Sequence, residues 1–190
     1  MNNKFFTFIK PYLSFIDNGH FYRKPFMWLY ALLAIVNLIV PFFVLIQGID
    51  NGIFEYGFGK IVFVFLLLWV IITFVSWISF QLWWDRKEKV STISVEGDEF
   101  TATPVFSHFF QTFGEWLGTW IGIVGFSVAL CTTLILGDDA NYFDIGIPFL
   151  ETGFLFVILM PIYGFLIVVG ARFLAEQFRA LSSIANNTKR

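Results

Sequence analysis

Four runs, residues 26–46, 61–84, 116–136 and 152–171, are almost purely apolar and contain no Lys, Arg or Asp. A helix needs about 20 such residues to cross a hydrocarbon layer about 30 Å thick. Backbone amides find no water there, so only helices and closed barrels span it. The runs are continuous rather than alternating, which excludes barrel strands. The sequence therefore predicts an all-α polytopic membrane protein, with four transmembrane helices and cytoplasmic amphipathic helices, as a single membrane domain over 1–190. Composition agrees: the chain is 57% hydrophobic and 14% charged, against about 25% charged in a soluble domain.

Lys and Arg set the orientation. Lys4, Lys10, Arg23 and Lys24 precede the first run, Arg86, Lys87 and Lys89 follow the second, and Arg172, Arg179, Lys189 and Arg190 follow the fourth. With four spans all of these fall on one side; Lys60 is the exception. The positive-inside rule puts both termini and the 85–115 loop in the cytoplasm of a multi-pass cell-membrane protein. Trp28, Trp83, Trp84 and Trp116 then form an aromatic belt near that interface.

Three segments on that side are amphipathic at helical spacing. Residues 4–17 read as an interfacial helix, either kinked at Pro11 or with its best stretch beginning near it. In 105–115, Val105, Phe106, Phe109, Phe110 and Phe113 share one face, continued by Trp116, and Ser107, His108, Gln111 and Glu115 oppose them, with Thr103-Pro104 as the helix start. In 172–186, Phe173, Leu174, Phe178, Leu181 and Ile184 oppose Arg172, Glu176, Arg179 and Ser183. Arg172 and Glu176 are four apart, the spacing of a helical ion pair.

The third run carries a stripe of small residues, Gly114, Gly118, Gly122, Gly125 and Ala129. In lipid, helices associate through close van der Waals contact, which small residues permit. Glycine weakens a helix by roughly 1 kcal/mol relative to Ala, so its repetition needs a compensating use. The stripe predicts a helix-packing interface, either inside the chain or with homo- or hetero-oligomeric membrane partners.

The polar candidates are Asn37, His108, Glu115, Glu151, Arg172 and Glu176. Asn37 lies four residues before Pro41, which frees a helix carbonyl. Pro161 and Gly164 mark a kink in the fourth run. Ionisable residues near a membrane are functional candidates, yet no run carries one near its middle. Neither His20 nor His108 lies in HExxH, and GxSxG, Walker A and CxxC motifs are absent. Cys131 is the single cysteine. The sequence thus predicts no catalytic residue, cofactor or metal, and the net charge of −2 offers no basic bulk for nucleic acid.

The end of the chain, "ARFLAEQFRALSSIANN", resembles a family of small bacterial integral-membrane proteins of unknown function. In that family the last span passes into an Arg-x3-Glu helix with a following Phe, here Arg172, Glu176 and Phe178. The resemblance implies a bacterial inner membrane and no particular activity. The function expected from these features is a non-enzymatic scaffold or accessory subunit of a membrane assembly, packing through the glycine-rich third helix. A homo-oligomeric channel with that helix near the axis comes second, and a lipid-handling or intramembrane enzyme third.

Overall fold

In a computed structural model the described residues are 9–17, 20–56, 59–93, 102–143 and 153–188. Among them all regular structure is helical: α1 (Lys10–Asp17), α2 (His20–Asp50), α3 (Lys60–Val90), α4 (Ala102–Trp120), α5 (Phe126–Cys131) and α6 (Phe154–Thr188). Four helical runs are long and apolar enough to cross a membrane, the third running unbroken through α4 and α5 from Ala102 to Ala140. The protein is a multi-pass membrane protein. Its helices outrun the predicted spans, save that α6 starts at Phe154 inside the fourth, because polar residues continue a helix as readily outside hydrocarbon as apolar ones do within it.

Proline falls where helices tolerate it. Pro11 and Pro104 sit in the first turns of α1 and α4, where the missing amide hydrogen has no helical acceptor in any case. Pro41 and Pro161 lie inside α2 and α6, which continue through them.

The bundle is two helical hairpins side by side. α2 lies along α3, α4–α5 lies along α6, and α3 meets α4 at the join. On α2 the buried positions are Tyr30, Ala34, Asn37, Pro41, Val44 and Gly48. On α3 they include Phe65, Leu68, Ile72, Val75 and Ser79. Both sets alternate steps of four and three, the seam of a left-handed coiled pair. One apolar cluster, with Val44, Ile53, Phe65, Leu68 and Leu136, fills the half of the bundle around the α2–α3 link. A second, with Tyr30, Ala34, Trp83, Val90 and Val105, fills the half where α2 and α4 begin and α3 ends. We call this second half the terminal end.

Two details at the other end explain sequence oddities. Gly52 takes φ +69°, a left-handed conformation that lets the chain turn out of α2. Lys60 donates to the Leu136 carbonyl at 3.1 Å and pairs with Asp139 at 2.7 Å. It caps the third helix and is neutralised there, which accounts for the one cation on the acidic side.

Between α4 and α5, and again after α5, the helix widens into π turns at Ile121–Gly125 and Thr132–Leu136. A π turn displaces backbone carbonyls from their usual partners. Ser127 Oγ donates to the Ile123 carbonyl at 2.7 Å, and Thr132 Oγ1 to the Val128 carbonyl at 2.8 Å. Both hydroxyls therefore satisfy acceptors at the edges of these turns.

Candidate functional site

The small-residue stripe of the third helix is covered by α6 of the same chain. A Cβ on Gly114 would run into the Ala171 side chain. One on Gly118 would lie 2.5 Å from the Gly164 carbonyl oxygen and 2.6 Å from Val168 Cγ2. Gly125 faces Met160 in the same way, at 3.0 Å from its sulfur, whereas Gly122 leaves 3.7 Å to the Gly164 Cα. Ala129 is fully buried. The contact is reciprocal: a Cβ on Gly164 would lie 2.5 Å from the Gly118 oxygen and 2.7 Å from the Gly122 Cα. Gly164, expected only as part of a kink, is thus the matching surface. The buried residues of α6 are Met160, Gly164, Ala171, Ala175 and Ser182. Their steps of four and seven form a second small stripe that the sequence already carried.

Close backbones at these positions bring polar side chains together at the terminal end. Ser107, fully buried, donates from Oγ to the Ala175 carbonyl at 2.6 Å. Glu115 lies at the centre, its side chain only 9% exposed. Arg86 of α3 donates Nη2 to its Oε2 at 3.0 Å. Arg172 of α6 donates Nε and Nη2 to its Oε1 at 2.9 and 2.8 Å. Gln111, one turn before Glu115, donates to Oε1 at 2.8 Å and accepts from Arg179 Nη2 at 2.8 Å. One carboxylate therefore ties three helices, and a chain of charge-assisted bonds runs from α3 through α4 to α6.

Beside it, α2 joins through neutral groups. The hydroxyl of fully buried Tyr30 bonds His108 Nδ1 at 2.8 Å and reaches Thr112 Oγ1 at 3.5 Å. Asn37 donates to the Leu33 carbonyl of its own helix and accepts from Trp116 Nε1 at 2.9 Å. Trp120 Nε1 donates to Ser79 Oγ at 2.9 Å. Aromatic rings fill the spaces: Tyr30 meets Trp83 edge-on at 5.1 Å, and Phe113 meets Trp116 at 5.4 Å. Such pairs add about 0.5–1.5 kcal/mol each beyond their burial.

Several expectations change. Arg172 pairs with Glu115 across helices rather than with Glu176, because α6 turns it toward α4. Trp83 is buried at 1% exposure instead of standing in an interfacial belt, while Trp28 at 72% does face outward. The Asn37 side chain donates to the Leu33 carbonyl rather than to the carbonyl that Pro41 frees, and Trp69 Nε1 donates to Pro41's own carbonyl at 2.9 Å. The start of α4 buries its polar face along with part of its apolar one: Ser107, His108 and Glu115 are buried, as is Val105, while Phe106 and Phe113 are exposed. Its polar groups find partners within the bundle, so burial costs them little. Glu151 lies outside the described residues, as do residues 4–8 of the first amphipathic segment. Sequence reasoning missed Tyr30 and the bonding role of Arg86; Tyr30 was readable as the first member of the Tyr30, Ala34, Asn37 face.

Chemically, the arrangement holds helices in register. Its carboxylate is neutralised by two guanidinium groups, and its histidine is engaged by a phenol. No known family model matches the chain, nor does any curated protein or solved structure.

Proposed function

We propose that this protein is a non-enzymatic scaffold or accessory subunit of a membrane assembly, and that it meets its partners through the paired extensions of α4 and α6. The supporting observation is the exposed apolar surface that these extensions carry. α6 has 35 residues, about 52 Å at 1.5 Å per residue, against about 30 Å of hydrocarbon. Some 20 Å of it lies outside the spanning part by that measure. On this extension Phe173, Phe178, Leu181 and Ile184 are 58, 39, 63 and 61% exposed. Phe106 and Phe113 of α4 add 50 and 37%. Exposed apolar surface of this extent beyond the lipid core is a contact surface in search of a partner. The glycine stripe is not that surface, because α6 already fills it.

The Lys and Arg bias supports termini in the cytoplasm, so the extensions would meet a partner there, at a bacterial inner membrane. The test is the native mass of the particle extracted gently in lipid from cells that make it. Different chains co-purifying with the 22.0 kDa chain, and lost on Phe178→Asp with Ile184→Asp, are the expected result. A lone monomer, or a complex indifferent to both substitutions, would overturn the scaffold reading. A ring of identical chains that conducts ions would replace it with a channel.

A further inference from the structure

We propose that the cleft between the start of α4 and the end of α6 binds a phosphate group attached to a small polyol, with Arg179 as its anchor. The cleft has a volume of about 280 Å³ and is lined by Pro104, Arg179, Ser182, Ser183, Asn186 and Asn187. At about 30 Å³ per water in the liquid, that is room for roughly nine waters, enough for a phosphate and a three-carbon polyol.

The charge of the neighbourhood favours an anion. Arg86 and Arg172 converge on the one carboxylate of Glu115, and Arg179 joins them through Gln111. Glu115 is consumed by Arg86 and Arg172. Among the described residues Arg179 has only neutral partners: Nε donates to the Ala175 carbonyl at 3.3 Å, and Nη2 to Gln111 Oε1 at 2.8 Å. A guanidinium carries five N–H donors, so three of them have no partner among the described residues. These two bonds hold the guanidinium in place on α6, which lowers the entropy lost when it takes a ligand. Its planar fork matches phosphate oxygens. On the walls Ser183 and Asn187 add a hydroxyl and a carboxamide, which match the hydroxyls of a polyol and carry no competing negative charge.

Position narrows the source. Arg172 ends the apolar part of α6, and Arg179 lies seven residues on, about 10 Å further along the helix. The headgroup layer is about 5–8 Å thick on each side. A lipid whose phosphate bears a projecting polyol reaches the cleft from that layer; a free polyol phosphate enters it from water. The chemistry is shared, and the experiment separates the two.

The protein is reconstituted in phosphatidylcholine nanodiscs, and its thermal unfolding is followed by tryptophan fluorescence. Three probes are added in turn: phosphatidylglycerol in the bilayer, glycerol 3-phosphate in solution, and inorganic phosphate. A ligand that binds the folded form raises the midpoint in a concentration-dependent way. A rise with glycerol 3-phosphate identifies a soluble ligand, and a rise with phosphatidylglycerol alone identifies the lipid. In either case Arg179→Gln weakens binding by about tenfold or more, and Arg179→Lys keeps most of it. Lys60→Gln, at the far end of the bundle, leaves it unchanged. Ligand-free midpoints of the variants separate loss of binding from loss of fold. No rise with any probe, or equal rises in the parent and Arg179→Gln, overturns the proposal.

Discussion

Gly118 and Gly122 look interchangeable in the sequence, yet replacing each by alanine should have opposite effects. At Gly118 the added carbon would sit 2.5 Å from the Gly164 oxygen and 3.2 Å from the Val168 nitrogen, both backbone atoms. Ordinary contact begins at 3.4 Å, so α4 and α6 must separate by about 0.9 Å there, the difference of those two distances. Overpacking of this kind costs about 1–3 kcal/mol. The better helix propensity of alanine returns about 1 kcal/mol, leaving a net loss of up to about 2 kcal/mol. At Gly122 the nearest atom is 3.7 Å away, so alanine fits. Only the propensity gain remains, at most about 1 kcal/mol. The two variants should therefore differ by about 1–3 kcal/mol, a gap in which the propensity contribution cancels. Equilibrium unfolding in mixed micelles, titrated with a denaturing detergent, measures it. Equal stabilities, or a greater loss from Gly122→Ala, would refute the claim that backbone contact at Gly118 and Gly164 sets the helix spacing.

Two further predictions concern the polar network. Glu115→Gln leaves Arg86 facing no carboxylate, and Arg86 Nε is already buried without a partner among the described residues. Since Arg86 cannot turn to water as half-exposed Arg172 can, the loss should be about 2–4 kcal/mol, between the values for exposed and buried pairs. Adding Arg86→Met should restore part of it in the same unfolding assay, and a single-variant loss below about 0.5 kcal/mol would mean that the pair is effectively solvated. Tyr30→Phe keeps the ring against Trp83 but leaves His108 Nδ1 without its 2.8 Å partner. It should cost about 1–2 kcal/mol, and no measurable loss would show that water replaces the phenol.

The four spans were legible because hydrocarbon imposes its own length and excludes charge, and both conditions can be read along a chain. Helix ends were not, since nothing in Arg172 or Glu115 stops a helix on leaving lipid. Helical spacing grouped Gly114 and Gly118 in one small-residue stripe and set Ser107 opposite the phenylalanines; the structure places all three against α6. Projection does not say which face turns inward; Ser107 and His108 are buried because the bundle supplies their hydrogen bonds. The partner of Arg172 was hidden for a similar reason. An i,i+4 rule sees Glu176 on the same helix; it cannot see Glu115, 57 positions away in sequence.

The glycine contact and the polar network are one mechanical unit. Ser107 and Glu115 sit on the same helix as Gly118, and their α6 partners Ala175 and Arg172 sit on the same helix as Gly164. A Ser107 bond of 2.6 Å would stretch to about 3.5 Å if the 0.9 Å separation ran along rigid helices, which is beyond hydrogen-bond range. The bonds to Glu115 at 2.8–2.9 Å from Arg172 would reach about 3.7 Å, leaving a weak ion pair rather than a hydrogen bond. Ser107 and Glu115, both buried, stabilise the bundle only while their bonding geometry is good. Small residues in the middle of the pair are therefore what permits a carboxylate and its arginines to meet at the end of it. That dependence explains why the polar face of α4 can be turned inward, and with it why Phe106 and Phe113 are left on the outside.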